Sequence, residues 1–341
     1  MRAARVALVA LVLLAARALV VVAAAEETRA CAATADDDAA ADGRASCSPT
    51  DSHGWKRYDS PMDGPCTIDR VDAAEMSFAT FTSTYKDRKP VVLTGMRARN
   101  AAFRELCAKD ALLSRWGDAN ITLSTANTHS YEKTAEPLRT YVRTRLAPQR
   151  PNSRGDATLY WFGDHDHETW APHFDAYVRP PFVPNAADVA RSFGVGGPHS
   201  GVPLHVHGPG FSESVVGRKR WWLSPPKPKP RFDPNATALE WALGLGEDRR
   251  VPAADDDGAW VNVPERYATK ETAAATHATM LECTVREGEA VYFPDQWWHA
   301  TLNLDETVFM SSFVNYALDG SVGADELDDT PLGATGAGGA R

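Results

Sequence analysis

At 341 residues, 43% of them hydrophobic, the chain can build one large or two ordinary domains with a sizeable core. A net charge of −9 and the lack of a strongly basic domain exclude a partner held mainly through phosphates, so no nucleic-acid role is expected. The one dense basic run, Lys227-Pro228-Lys229-Pro230-Arg231, is broken by prolines and reads as a solvated loop.

Residues 1–25 carry Arg2 and Arg5, then a Val/Leu/Ala stretch, then Ala23-Ala24-Ala25 ahead of Glu26-Glu27. That order is expected of a secretory signal cleaved after Ala25. An uncleaved anchor is the rival, and membrane contact is expected only in that case. Residues 26–60 centre on Ala35-Asp36-Asp37-Asp38-Ala39-Ala40-Ala41-Asp42 and read as a disordered linker, since few large apolar groups offset the ordering entropy. Helices are predicted over Ala74–Tyr85, Phe103–Trp116 and Glu136–Leu146, with strands at Pro90–Gly95 and Ile121–Ser124.

From Leu159 onward strand signals dominate. Leu281–Val285, Ala290–Phe293, His299–Leu304 and Val308–Val314 read as a meander with regular turns, and such short antiparallel strands suit a double-stranded β-helix, or jelly roll. Helices outside an N-terminal sheet extension make the predicted class α+β. Residues 61–189 are expected to form the N-terminal part of the fold, 190–319 its core, and the Gly/Ala/Asp-rich residues 320–341 a disordered tail without a K-D-E-L-type signal.

The five cysteines are Cys31, Cys47, Cys66, Cys107 and Cys283, and none stands in a C-x-x-C spacing. A Cys66–Cys107 bridge and two buried thiols are both open readings. Asn120-Ile121-Thr122 and Asn235-Ala236-Thr237 are glycosylation sequons, meaningful only in the secretory route.

The chemistry is concentrated in Pro203-Leu204-His205-Val206-His207-Gly208 and in Trp297-Trp298-His299-Ala300-Thr301-Leu302-Asn303. On a strand, residues i and i+2 share a face, so His205 and His207 can enter one cavity while Val206 points away. With His299 from a distant strand they make a three-imidazole set that leaves half a coordination sphere open. The tryptophans beside His299 are expected to wall the pocket. The same period puts Lys219, Trp221 and Leu223 on one face, and an inward lysine needs an anion to offset its desolvation. Gly163-Asp164-His165-Asp166-His167-Glu168 is denser in ligand-type residues but lacks regular spacing, and it reads as an exposed acidic loop.

The order P-L-H, then Gly217-Arg218-Lys219-Arg220-Trp221 running on to Pro225-Pro226, then Gly288-Glu289 through Tyr292-Phe293-Pro294 to Trp297-Trp298-His299 and Asn303-Leu304, resembles the jumonji C (JmjC) family. This is the cupin-like branch of the Fe(II)/2-oxoglutarate oxygenases. The likeness spans roughly residues 190–317, and within the family it leans to a lumenal branch whose first metal motif also reads H-x-H-G-P-G. It implies Fe(II) on His205, His207 and His299, and 2-oxoglutarate on Lys219, with Ser200 and Asn303 as further polar contacts. It also implies residence in the endoplasmic reticulum, secretion being the alternative.

Three departures bear on activity. His207 stands where the family has a carboxylate, so three neutral imidazoles leave Fe(II) at a formal +2 rather than +1. Glu213 is the nearest substitute carboxylate. Val202 replaces a hydroxyl common three residues before the first histidine, and glycine and phenylalanine replace an asparagine in the next strand. The expected function is a lumenal protein hydroxylase, and the alternatives are a degenerate jumonji scaffold acting through protein contacts, or a three-histidine zinc site. A protein substrate or protein partner is expected in either of the first two cases.

Overall fold

The computed structural model describes residues 50–130, 132–150, 153–183, 189–227, 229–230, 232–243, 250–252, 260–262 and 280–314. The expected signal segment, most of the linker, the tail, Cys31 and Cys47 lie outside them.

Two facing sheets build the core. The larger runs, in spatial order, through β1 (Asp69–Asp72), β2 (Val91–Thr94), β12 (Glu289–Phe293), β7 (Gly210–Val216), β14 (Thr307–Phe313) and β6 (Ala190–Gly196). The smaller is β11 (Leu281–Val285), β8 (Lys219–Ser224) and β13 (Trp298–Asn303). Every pairing in both is antiparallel except β1 with β2. The strands predicted as a meander are present, but they are not neighbours: β11, β12, β13 and β14 alternate between the two sheets. Alternation winds the chain as a double-stranded β-helix, because each turn crosses the barrel and buries one face of each strand against the opposite sheet.

A third sheet, β3 (Asn120–Thr125) between β4 (Lys133–Pro137) and β5 (Leu159–Tyr160), joins the edge of β6 through a bridge between Trp161 and Val195. A two-stranded ribbon pairs β9 (Arg250–Pro252) with β10 (Trp260–Asn262). Helices cover the outer face of the large sheet. These are α1 (Phe78–Thr84), α2 (Ala101–Leu106), α3 (Lys109–Trp116), α4 (Leu138–Thr144) and α5 (His167–Asp175), while α6 (Ala238–Ala242) lies by β13. The helix predicted over Phe103–Trp116 divides at Ala108, whose extended backbone (ψ 138°) lets α3 turn away.

Between the helices and the sheet lies an aromatic core of Phe103, Trp161, Trp170 and Phe193, all at most 1% exposed. Each such side chain removed from water stabilises the fold by roughly 2–3 kcal/mol. Trp55, expected in the linker, belongs to this core: it is fully buried and its indole N–H donates to the Cys107 carbonyl. The ordered fold therefore begins before residue 60, because one large aromatic group offsets the entropy that the Ala/Asp-rich residues cannot.

Among the described residues the disulfide is Cys66–Cys283, not Cys66–Cys107. The segment around Cys66 lies along the outer edge of β11, where the Thr67 amide donates to the Glu282 carbonyl, and this brings Cys66 against Cys283. Cys107, at the end of α2, stays a free thiol deep in the aromatic core, and its burial pushes the thiol pKa up.

Candidate metal centre

The interior face of the small sheet follows from its register. Pairing of β8 with β13 sets Leu223 opposite His299, Trp221 opposite Thr301 and Lys219 opposite Asn303, so these six side chains share one face. The large sheet answers with Gly194 and Ser192 from β6, Phe309, Ser311 and Phe313 from β14, and Ser212 from β7.

The H-x-H segment is held along β13 like an extra strand. His205 and His299 exchange both backbone hydrogen bonds, at 3.0 and 2.9 Å, and the Gln296 amide donates to the His207 carbonyl. Gly201 allows this approach: a Cβ there would lie 1.9 Å from the Thr301 carbonyl oxygen. Strand alternation then carries His205 and His207 inward together.

The three rings converge. Nε2 of His207 lies 3.1 Å from Nε2 of His299, and the donor atoms of all three histidines fall within 4.8 Å of one another. Each Nδ1 sits 2.8 Å from a backbone carbonyl, of Pro203 for His205, Gly208 for His207 and Trp297 for His299. A carbonyl only accepts, so each Nδ1 carries the proton and each Nε2 presents a lone pair. Lone pairs facing each other at 3.1 Å need a cation between them. Metal–nitrogen bonds of about 2.1 Å at right angles put neighbouring donors about 3.0 Å apart, so the donor set fits a first-row metal. Burial, with the other imidazoles nearby, keeps the rings neutral: His205 is pulled down to about 3, and His299 far below the ordinary histidine value.

Ring contacts make the wall. Trp221 and Phe293 stack beside His299, while Phe293 and Phe313 meet His207 edge-on. Trp298 does not take part, because it points off the other face of β13 and packs on Phe232. Trp297 packs with Trp221 and Phe293. Glu213 is also turned away: it lies on the outer face of β7, where the Asn100 amide and the Tyr177 hydroxyl both donate to Oε2 at 2.8 Å. Burial raises its pKa to about 7. Among the described residues no carboxylate joins the three-histidine group.

Deeper in the barrel lies Lys219, 4% exposed, with no carboxylate partner among the described residues. Its ammonium donates to the Tyr160 hydroxyl at 3.3 Å and sits 3.4 Å over the Phe309 ring. Burial alone pulls its pKa down to about 7. The Asn303 amide nitrogen also donates to the Tyr160 oxygen, and to the Ser200 carbonyl and hydroxyl, while its own carbonyl oxygen is buried without a donor. Tyr160 accepts from both, so its proton is free for an acceptor in the cavity. Sequence reasoning missed Tyr160, Thr301, Ser212 and Ser311. Period two from His299 marks Thr301, but nothing in Leu159-Tyr160-Trp161-Phe162 says which alternate set faces inward.

The acidic loop holds no metal group among the described residues. His165 accepts from the Phe193 amide, and Asp166 caps α5. A second group, Asp51, His53 and Glu287, is threaded by Arg57, which pairs with both carboxylates.

A family model described as a cupin-like domain matches residues 77–316, which contain the histidine centre, the small sheet and every strand of the large sheet except β1. JmjC domain-containing protein 8 of Rattus norvegicus is 45% identical over 249 residues, covering 73% of this chain and 82% of that protein. The chain belongs to the cupin-like JmjC family. Similarity extends to Lysine-specific demethylase JMJ21 of Arabidopsis thaliana, 26% identical across 70% of this chain and 25% of that protein. Bifunctional arginine demethylase and lysyl-hydroxylase psr-1 of Caenorhabditis elegans is 23% identical across 71% of this chain and 60% of that protein. JmjC membership relates this chain to iron and 2-oxoglutarate demethylases and hydroxylases.

Proposed function

We propose that this chain is a lumenal Fe(II)/2-oxoglutarate-dependent oxygenase that hydroxylates a protein side chain. The observation that carries the reading is a buried, anion-less ammonium on Lys219, facing the same interior as three unprotonated imidazole nitrogens. His205, His207 and His299 would hold the iron. Lys219 and Tyr160 would receive the distal carboxylate of the cosubstrate, and Asn303, itself held by Ser200, fixes the Tyr160 oxygen for that role. Iron bound there supplies oxygen activation coupled to decarboxylation of 2-oxoglutarate. The aromatic wall of Trp221, Phe293 and Phe313 excludes water from the reacting end. A protein substrate is an analogy with the relatives whose names specify lysine and arginine chemistry.

The lumenal part of the reading draws on the Cys66–Cys283 bridge, a feature of oxidising compartments. Asn120 is exposed at the start of β3, whereas Asn235 is tied to Asn127 and the Thr237 of its sequon is fully buried, so Asn120 is the expected glycan acceptor. Mass spectrometry of the protein from its native host should find a first residue near Glu26 and glycan on Asn120. An intact Met1 in a soluble cytosolic pool would overturn the assignment.

One observation favours a second reading, a ligand-binding scaffold: Glu213 faces away and, among the described residues, no other carboxylate joins the three histidines. Anaerobic titration with Fe(II), followed by measurement of succinate release from 2-oxoglutarate, separates the two. One bound metal with succinate formation is the oxygenase result. Metal and 2-oxoglutarate binding without succinate is the scaffold result.

A further inference from the structure

We infer that three hydroxyls, Thr301, Ser212 and Ser311, form a belt between the metal centre and Lys219 that binds the oxo-acid end of the dicarboxylate. The inference rests on the cosubstrate reading above and supplies donors where the family's hydroxyl and asparagine are replaced by Val202 and by Gly210-Phe211.

The belt's position follows from strand geometry. On β14, Phe309 touches the Lys219 ammonium and the Phe313 ring lies 4.9 Å from that of His207. Ser311 stands between them on the same face, about 7 Å along the strand from each. On β13, Thr301 likewise stands between His299 and Asn303, the latter opposite Lys219. A diacid with one carboxylate on the ammonium and the other end at the imidazoles must cross both positions.

The hydrogen bonds leave this belt able to donate. Ser311 donates to Ser212 at 2.9 Å, and Ser212 is 2% exposed with no acceptor for its own proton among the described residues. The Thr301 oxygen accepts from the Val202 amide at 3.4 Å, so its proton too is uncommitted. Thr301 thus puts a hydroxyl beside the position where Val202 has none. A buried hydroxyl without an acceptor costs stability unless a ligand supplies one. Two such groups on facing walls, level with the gap between an ammonium and a metal site, are matched to an oxo-acid carboxylate.

Calorimetry of 2-oxoglutarate binding to the full mature chain loaded with Mn(II), without oxygen, tests this. Thr301→Val and Ser212→Ala should each raise the dissociation constant about 10-fold, the loss typical of one hydrogen bond to a charged group. Thr301→Ser should restore it, and Mn(II) affinity should stay within about twofold throughout. Lys219→Met should abolish 2-oxoglutarate binding. Unchanged affinity in Thr301→Val and Ser212→Ala, with Lys219→Met still inactive in binding, overturns the belt and leaves the cosubstrate reading intact. A parallel loss of Mn(II) affinity also overturns it, since the hydroxyls would then be holding the barrel. Failure of the unaltered chain to bind 2-oxoglutarate removes both.

Discussion

Arg218 and Lys219 are adjacent in sequence and opposite in circumstance. Arg218 leaves the barrel wall and is matched on every side, by Asp305 through two hydrogen bonds of 2.9 Å, by Asp63 at 2.8 Å and by the Tyr58 carbonyl. Those carboxylates hold its pKa above the ordinary arginine value. Lys219 enters the barrel and meets a phenol and a phenyl face, and desolvation moves its pKa down to about 7. One peptide bond separates a charge paired for architecture from a charge left for a ligand. Where this fold needs a buried charge only to fasten the residue 56–63 strap, it completes the pairing. At the site it leaves the ammonium, the imidazole lone pairs and the Asn303 oxygen open.

Substitutions should separate the two regions by sign. Arg218→Met leaves Asp305, which is fully buried, with only the Arg57 guanidinium at 3.4 Å and the Tyr58 amide, and should destabilise the protein by roughly 3 kcal/mol in chemical denaturation. Lys219→Met should do the reverse in the ligand-free protein, stabilising it by up to about 4 kcal/mol at pH 6. If both variants are destabilised alike, the distinction between the regions is lost.

The pH profile carries the same contrast. Between about pH 7 and 10.5 the unfolded chain holds the Lys219 proton and the folded chain does not, so stability should rise with pH across that window, a slope absent in Lys219→Met. Glu213 works with the opposite sign. Between 4.5 and about 7 the folded chain keeps a proton that the unfolded chain has released, so stability falls as pH rises. Glu213→Gln, which can still accept from Asn100 and Tyr177, should be more stable than the parent by about 3 kcal/mol at pH 8 and nearly equal at pH 4. Equal gains at both pH values would show that folding does not raise the Glu213 pKa. The smallest effect concerns the ligand: 2-oxoglutarate binding near pH 7 should take up about half a proton as Lys219 is recharged. Calorimetry in buffers of different ionisation enthalpy measures that uptake, and Arg218→Met should leave it unchanged.

Much of the site was legible because strands alternate. His205 with His207, Lys219 with Trp221, and His299 with Asn303 could each be put on a common face from spacing alone. Spacing does not say what lies across the barrel. Tyr160 comes from a strand about 60 residues before Lys219 and is inward only because Trp161 bridges to Val195 on the outer side. Glu213 follows His207 closely in sequence, yet the turn at Gly208–Gly210 resets the phase and sends it to the opposite face. Cys283 was equally unreadable as the partner of Cys66, since 217 residues separate them and only the backbone hydrogen bond of Thr67 along the edge of β11 brings them together.

The sequence by itself determined the jelly-roll class and the ligand-bearing faces, because these follow from local periodicity and from motifs a few residues long. The tertiary structure alone decided which faces meet: the alternation of β11 to β14 between two sheets, the phenol and hydroxyls around Lys219, and the absence, among the described residues, of a carboxylate beside the three imidazoles. Those are pairings between groups far apart in the chain, set by sheet register and by the closure of the barrel, and register is a property of two strands together that neither encodes alone.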